Sequence, residues 1–147
     1  MNTFDVLNSL LVRLFRDIII VEEKYIITDE FKDITVNDMH IIEAIGNKEP
    51  RTMSTIAKSL HVTMGTLTTG INGLVKKGYA VRIRSDKDRI IVYATLTPKG
   101  IKAFKKHANF HIDMVNSIIE GLSDDEASVL TAALSKLDGF FAENIDT

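Results

Sequence analysis

The sequence predicts a mainly α-helical protein that carries one small antiparallel β-hairpin. Apolar residues recur at intervals of three and four along most of the chain, which is the period of a helix buried on one face. Alternation of apolar and polar residues is confined to residues 79–95, where it predicts two strands. At 147 residues with 45% hydrophobic content, the chain is long enough for one domain with its own core.

The first predicted helix covers residues 4–25 and has a regular apolar stripe. Its members are spaced alternately by three and four residues, as at the a and d positions of a coiled coil. They are Phe4, Leu7, Leu11, Leu14, Ile18, Val21 and Tyr25. The apolar surface of such a helix has to be buried, either against a partner chain or against the protein's own core.

Two short helices are predicted in the next part of the chain, after a loop over residues 25–33. Thr35 caps the first and Gly46 ends it, and Thr52 begins the second. A tight turn at residues 61–62 then leads into a further helix. Two short helices joined by a tight turn form a helix-turn-helix pattern.

The helix predicted from Thr63 to Gly78 has two contrasting sides. Its apolar side consists of Leu67, Ile71, Leu74 and Val75. The opposite side consists of Gly65, Thr66, Thr69, Asn72, Gly73 and Lys76. That side is small and rich in hydrogen-bonding groups, which suits the base edges of a DNA major groove, and an Asn is suited to adenine. We interpret the three glycines of this helix as room for close approach of its backbone.

The period changes after Gly78. Residues 79–84 and 90–95 alternate as two strands, and the polar residues 85–88 between them form a turn with basic residues at the tip of the hairpin. A hairpin that directly follows a helix-turn-helix is a wing. The predicted architecture is therefore a winged helix-turn-helix.

Two more helices complete the chain. Thr97 and Pro98 open a long helix that runs to about Glu120, and Ser123 with Glu126 forms a capping box for the last one. The last helix is too apolar to face water on all sides. We therefore expect a single domain 1–147, with N- and C-terminal dimerisation helices over 1–30 and 107–147 and a winged helix-turn-helix DNA-binding region over 34–100.

Charge is distributed unevenly along the chain. The net charge is −2. Between Lys76 and Lys106, however, ten basic residues stand against two acidic ones, so this segment carries +8 and the remainder −10. A cationic segment of this kind suits contact with phosphates. The residues expected to contact DNA are Thr63, Met64, Gly65, Thr66, Thr68, Thr69, Asn72, Lys76, Arg82, Arg84, Lys87 and Arg89.

The segments on either side of the hairpin resemble the MarR family of bacterial regulators. They are Leu74-Val75-Lys76-Lys77-Gly78-Tyr79 and Leu96-Thr97-Pro98-Lys99-Gly100, and the order of elements is similar over essentially the whole chain. The resemblance implies a homodimeric winged helix that binds pseudo-palindromic DNA and responds to a small ligand. One position departs from the family pattern: the wing usually has Asp-x-Arg, and Ile90 stands here at the position of that Arg.

Two further segments are similar to the FabT-like subgroup, the repressors of fatty-acid synthesis genes in Firmicutes. They are Phe31-Lys32-Asp33-Ile34 with Met39-His40, and residues 62–69. That subgroup implies a long-chain acyl ligand carried by acyl carrier protein. Lys102, Lys105 and Lys106 are either solvated or available to such an acidic partner. The implied acyl pocket consists of Ile26, Phe31, Met39, His40 and Phe104.

The histidines offer an alternative ligand. His107 and His111 lie four residues apart on the long helix, so they share a face and can ligate one metal ion. The zinc-responsive members of the same family are similar in having a Glu on the first helix, a His on the second and a His pair on the fifth. The matching residues are Glu22, His40, His107 and His111, and a zinc-responsive regulator is therefore the alternative function.

Other classes of protein have less support. The chain has no Cys, no phosphate-binding Gly loop and no spacing of a Ser-His-Asp triad, so we do not expect an enzyme. A helical dimeric protein-interaction module without DNA binding is the alternative from a different class. No signal pattern or apolar run of membrane-spanning length is visible, so the expected location is the cytoplasm.

Overall fold

A computed structural model describes residues 2–145. The helices are α1 (Thr3–Ile26), α2 (Val36–Ile45), α3 (Met53–Leu60), α4 (Met64–Lys77), α5 (Pro98–Glu120) and α6 (Asp124–Ile145), with a short 3₁₀ helix at Asp29–Phe31. The strands are β1 (Arg51–Thr52), β2 (Ala80–Arg84) and β3 (Val92–Leu96). The predicted fold class is confirmed, since all the predicted helices and the antiparallel hairpin are present.

The helix ends follow the capping residues of the sequence. The backbone N–H of Asp38 donates to Thr35 Oγ1, and that of Thr35 donates to Asp38 Oδ2, both over 3.0 Å. The same reciprocal pair joins Ser123 and Glu126 at the start of α6. The hydrogen bond from the Ser123 backbone lowers the pKa of the Glu126 carboxyl, because it stabilises the charged form.

The sheet contains one strand that the sequence did not predict. Its order is β1-β3-β2, with both pairs antiparallel, and Arg51 of β1 lies opposite Ala94 of β3. The prediction that the second hairpin strand begins at Ile90 is wrong, because β3 begins at Val92. Ile90 and Ile91 instead donate their backbone N–H groups to the side chain and the carbonyl of Asp88, which extends the turn.

The chain divides into two compact units, residues 1–110 and 111–147. The core of the first unit is built from the helix-turn-helix, and Ile42, Ile56 and Ile71 are fully buried in it. The second unit contains α6, in which no described residue is buried. Among the residues described, no helix is both long and apolar enough to cross a membrane.

The apolar stripe of α1 is open to solvent over most of its length. Phe4 is 73% exposed, Leu7 54% and Leu14 53%. In α6, large apolar side chains such as Val129 and Phe140 are also exposed. Each helix therefore presents the kind of surface that a partner chain would cover.

Candidate nucleic-acid interface

The helix α4 is held by its apolar side. Leu67, Ile71 and Leu74 are at most 1% exposed. Thr63 caps the helix by accepting a hydrogen bond from the Thr66 backbone, and Gly78 ends it with a φ of +88°. Val75, which the helical spacing places on the same side, is 37% exposed and so does not belong to the buried core.

The glycines of α4 have different surroundings. A Cβ atom on Gly70 would lie 2.5 Å from Cδ1 of Ile41, so this glycine permits the close packing of α4 on α2. A Cβ on Gly73 would meet nothing within 4 Å, and one on Gly65 would meet only Thr63 Oγ1 at 4.0 Å. Room for a partner's approach therefore explains at most Gly65 and Gly73, and not Gly70.

The other side of α4 is exposed as a continuous polar surface. Hydroxyl groups on it bond to one another and to the helix backbone: Thr63 Oγ1 donates to Thr66 Oγ1 over 3.0 Å, and Thr69 Oγ1 to the Gly65 carbonyl over 3.2 Å. The residues of α4 and its cap that the sequence predicts to contact DNA are all exposed here. They are Thr63, Met64, Gly65, Thr66, Thr68, Thr69, Asn72 and Lys76.

The wing brings basic side chains to the same surface. Arg82 Nη2 donates to Asn72 Oδ1 and lies 3.4 Å from the Thr68 carbonyl oxygen, so β2 is joined to α4. Arg84 Nη1 donates to the carbonyl of Arg89 over 2.9 Å, which ties it to the turn instead. Arg82 and Arg84, two residues apart on β2, therefore have different anchors.

The turn of the wing is exposed and held by its own hydrogen bonds. Ser85 Oγ accepts from the backbone N–H groups of Lys87 and Asp88. Ile90 is 89% exposed. The side chain at the position of the family's wing Arg is thus presented to solvent, as are the Lys87 and Arg89 side chains.

A cavity of about 480 Å³ separates the wing from the first turns of α3 and α4. Its lining is mostly apolar, with Met53, Met64 and Ile91, and the two wing arginines also line it. The wing therefore does not pack tightly on the N-terminal half of α4, and Arg82 bridges the gap at Thr68 and Asn72.

The root of the hairpin is packed much more tightly. The Tyr79 ring is completely buried, and its hydroxyl donates to Asp33 Oδ1 over 2.7 Å. Lys99 Nζ lies 4.3 Å from the centre of the Tyr79 ring. Burial and the Asp33 contact raise the pKa of Tyr79, and the hydrogen bond from Tyr79 lowers that of Asp33.

The two family-like segments meet at this root. Thr97 Oγ1 donates to the Gly78 carbonyl over 2.6 Å, and the Thr97 backbone N–H donates to the Tyr79 carbonyl over 3.0 Å. A Cβ on Gly100 would lie 2.1 Å from that Tyr79 carbonyl oxygen. Sequence reasoning found both segments as motifs but missed Asp33 as a partner of Tyr79, because contacts between distant residues leave no periodic signal.

A cluster of carboxylates and histidines lies at the junction of α1, α2 and α5 in the first unit. Glu22 Oε1 is 3.0 Å from His40 Nε2 and 3.2 Å from His107 Nε2, and His107 Nδ1 is 3.2 Å from Glu43 Oε2. Glu22 and His107 are buried. Three of the four residues predicted to bind metal are thus together, and His111 stands one turn later on α5. Sequence reasoning missed Glu43, although it lies three residues after His40.

The residues implied for an acyl pocket lie nearby. Ile26, Phe31 and Met39 are at most 2% exposed and belong to the core, with Phe104 packed against it. Lys106 Nζ donates to Thr28 Oγ1 over 2.9 Å. Lys106 is therefore not simply a solvated charge, because its ammonium group is bonded within the chain.

Comparisons with known proteins identify the family. A sequence profile of the MarR family matches residues 32–89. The regulator YkoM of Bacillus subtilis is 31% identical over 65% of this chain, which spans 62% of YkoM. The regulator SarZ of Staphylococcus aureus is 31% identical over 78% of this chain and 74% of SarZ.

A solved structure matches over nearly the whole chain. FabT of Streptococcus pneumoniae, crystallised with DNA, is 38% identical, with a TM-score of 0.91 over 95% of this chain and 98% of that one. MepR of S. aureus, also crystallised with DNA, is 21% identical with a TM-score of 0.74, and shows the shared fold. This chain belongs to the MarR family of helix-turn-helix transcriptional regulators, which are not enzymes.

Proposed function

We propose that this protein is a homodimeric repressor that binds an inverted-repeat operator. The observation that carries the proposal is the exposed, nearly uncharged polar side of α4 beside the basic wing. In this arrangement α4 enters the major groove and supplies specificity through hydrogen bonds to base edges. The wing and the end of α4, with Arg84 and Lys76, supply affinity by binding phosphates.

The dimer is supported by the exposed apolar surfaces of α1 and α6. Large apolar residues such as Leu7 and Val129 need cover, and a second copy of the chain provides the same surfaces. Two copies of α4 about one duplex turn apart require two half-sites with that spacing, which gives an inverted-repeat operator. A regulator with this role would act in the cytoplasm, where bacterial DNA lies.

The ligand proposed first is a long-chain acyl group delivered by acyl carrier protein. The similarity of two segments to FabT-like repressors and the 38% identity with FabT support it. The pocket would form from Ile26, Phe31, Met39, His40 and Phe104, and a ligand there would shift the populations of states with different spacings of α4. The regulated genes would then include those of fatty-acid synthesis.

A second candidate is a zinc-responsive regulator. Its support is the cluster in which Glu22 Oε1 lies 3.0 Å from His40 Nε2 and 3.2 Å from His107 Nε2, since zinc binds imidazole nitrogens and carboxylate oxygens. His111 would complete the set. Native mass spectrometry of the purified protein separates the candidates, because it shows the mass of the dimer together with either bound zinc or bound lipid.

The DNA-binding proposal is tested by selecting operators from a random duplex library and measuring two variants on the selected and on random DNA. We expect Asn72→Ala to relax the base preference and Arg84→Ala to weaken binding to all duplexes by a similar factor. If both variants affect selected and random DNA equally, this division of labour is wrong. If the wild-type protein enriches no sequence, the proposed function itself fails, and the helical interaction module takes its place.

A further inference from the structure

The contact between Arg82 and Asn72 joins the wing to the recognition helix. Arg82 lies on β2, and Asn72 lies in α4 one turn after Thr68. Arg82 Nη2 donates to the Asn72 amide oxygen and also approaches the Thr68 carbonyl oxygen at 3.4 Å. Both side chains are exposed, so the contact lies on the surface proposed to face DNA.

The chemistry of the two groups determines which way the amide points. A guanidinium has only donors, whereas an amide has an oxygen acceptor at one end and two N–H donors at the other. Arg82 can therefore bond only to Oδ1 of Asn72. The amide nitrogen is left to bond elsewhere, and the amide is oriented before any DNA is bound.

This orientation limits what Asn72 can recognise. The bidentate contact of an Asn with adenine requires the amide oxygen to accept from the N6 amino group while the nitrogen donates to N7. Here one of the two lone pairs of the oxygen already accepts from an arginine on a neighbouring strand, so the oxygen has less capacity left for a base than the two donors of Nδ2. The donors of Nδ2 suit acceptors in the major groove, which are N7 and O6 of guanine, N7 of adenine and O4 of thymine.

We propose that Arg82 is a positioning residue that fixes the amide of Asn72, so that Asn72 recognises a base acceptor and does not require the N6 amino group of adenine. The proposal rests on the proposed function and refines the adenine preference expected from the sequence. It also assigns different roles to the two wing arginines. The guanidinium of Arg82 bonds to a side chain of α4, whereas that of Arg84 bonds to the Arg89 carbonyl in the turn of the wing.

The experiment begins with the operator selected by the wild-type protein, at the base pair whose preference Asn72→Ala relaxes. At that pair, base analogues remove one major-groove group at a time: 7-deazapurines lack N7, 2-aminopurine lacks O6 and 5-methyl-2-pyrimidinone lacks O4. Purine riboside and 2-pyrimidinone lack the amino donor. The affinity for every analogue is also measured with Asn72→Ala. Any loss seen with that variant reflects the effect of the analogue on the duplex itself and is subtracted from the loss seen with the wild type.

We expect removal of one acceptor to weaken wild-type binding by about tenfold relative to Asn72→Ala, the size of one specific base contact. Removal of the amino donor should affect wild type and Asn72→Ala equally. If removal of the amino donor costs the wild type more than Asn72→Ala, the amide oxygen reads the base and the proposal is wrong. An absence of any acceptor effect also overturns it.

The role of Arg82 is tested with matched variants on the same strand. Arg82→Lys and Arg84→Lys both keep the charge and lose the guanidinium fork. We expect Arg82→Lys to reduce the base preference at the Asn72 pair several-fold with an unchanged salt dependence of binding. Arg84→Lys should leave that preference as it is. Arg82→Ala added to Asn72→Ala should cause no further loss of preference at that pair.

A different result would assign Arg82 to phosphate binding. If Arg82→Ala reduces the slope of log affinity against log salt by about one and leaves the base preference unchanged, Arg82 binds a phosphate and does not position Asn72. Thermal unfolding shows whether each variant is folded, and the base analogues on the wild-type protein keep the test decisive if one is not. Failure of the wild type to select any operator would instead overturn the proposed function.

Discussion

The root and the tip of the wing are built in opposite ways. At the root, Tyr79 is fully buried and Gly100 leaves no space for a side chain. At the tip, Ile90 is 89% exposed and the turn is closed by its own hydrogen bonds around Ser85 and Asp88. One hairpin thus has one end fixed to the helix-turn-helix and the other end free to meet a partner.

This difference separates two kinds of residue in the same segment. A substitution at the root removes packing or a hydrogen bond between elements and should change the free energy of unfolding. A substitution at the tip changes groups that contact mainly water and should alter the binding of DNA alone.

The largest effect is expected for Gly100→Ala. The new Cβ would lie 2.1 Å from the carbonyl oxygen of Tyr79, and a backbone atom cannot move aside as the end of a side chain can. We expect the free energy of unfolding to fall by about 3 kcal/mol, the upper part of the range for overpacking. Urea denaturation at a fixed protein concentration measures this change in the free energy of unfolding.

The matched control is Gly73→Ala, a glycine in a helix with open surroundings. Here we expect the free energy of unfolding to rise by about 1 kcal/mol, because Ala is the better helix former. Equal effects of the two substitutions would show that the root is not tightly packed.

A smaller effect is expected for Tyr79→Phe, which keeps the ring and removes the hydroxyl bonded to Asp33. The free energy of unfolding should fall by about 1 kcal/mol near neutral pH. Because the folded protein lowers the pKa of Asp33 below its usual 3.8, this stabilisation is present above that value and is lost as the pH falls through the lower, folded pKa.

The difference between Tyr79→Phe and wild type should therefore be constant near neutral pH and shrink in acid, below the ordinary pKa of Asp33. Chemical denaturation at a series of pH values gives this profile. A difference that persists undiminished in strong acid would mean that the Asp33 carboxylate is not the stabilising partner.

The smallest effect on stability is expected for Ile90→Arg at the tip. Since Ile90 is almost fully exposed, the free energy of unfolding should change by less than about 0.5 kcal/mol. The added charge should steepen the slope of log affinity for DNA against log salt by about one. Ile90→Gln controls for the loss of the apolar side chain, and a slope equal to that of Ile90→Gln would show that the tip does not reach the DNA.

Local signals in the sequence were sufficient for most of the fold. Thr63 and Gly78 mark the ends of α4 correctly, because capping depends on residues within one turn of a helix end. The predicted start of β3 is two residues too early, because Ile90 and Ile91 have the β-branched side chains typical of a strand. Their backbone N–H groups bond to Asp88 of the turn, and a pattern of apolar residues does not predict such bonds.

The candidate site was predictable to the extent that it lies on one helix face. The exposed polar residues of α4 share a face through helical spacing alone. The contacts of Arg82 with Asn72, of Tyr79 with Asp33 and of Gly70 with Ile41 join residues of different structural elements. Only tertiary packing creates these contacts, and so they could not be inferred from the sequence.

The most direct test of the central claim is the affinity of the wild-type protein for a random-sequence duplex over a range of salt concentrations. If the basic wing and the end of α4 bind phosphates, log affinity should fall linearly with log salt, by roughly 0.9 for each phosphate contacted. Arg84→Ala should give a shallower slope of log affinity against log salt concentration. No binding at any salt concentration would contradict the account and leave a dimeric helical protein without a role on DNA.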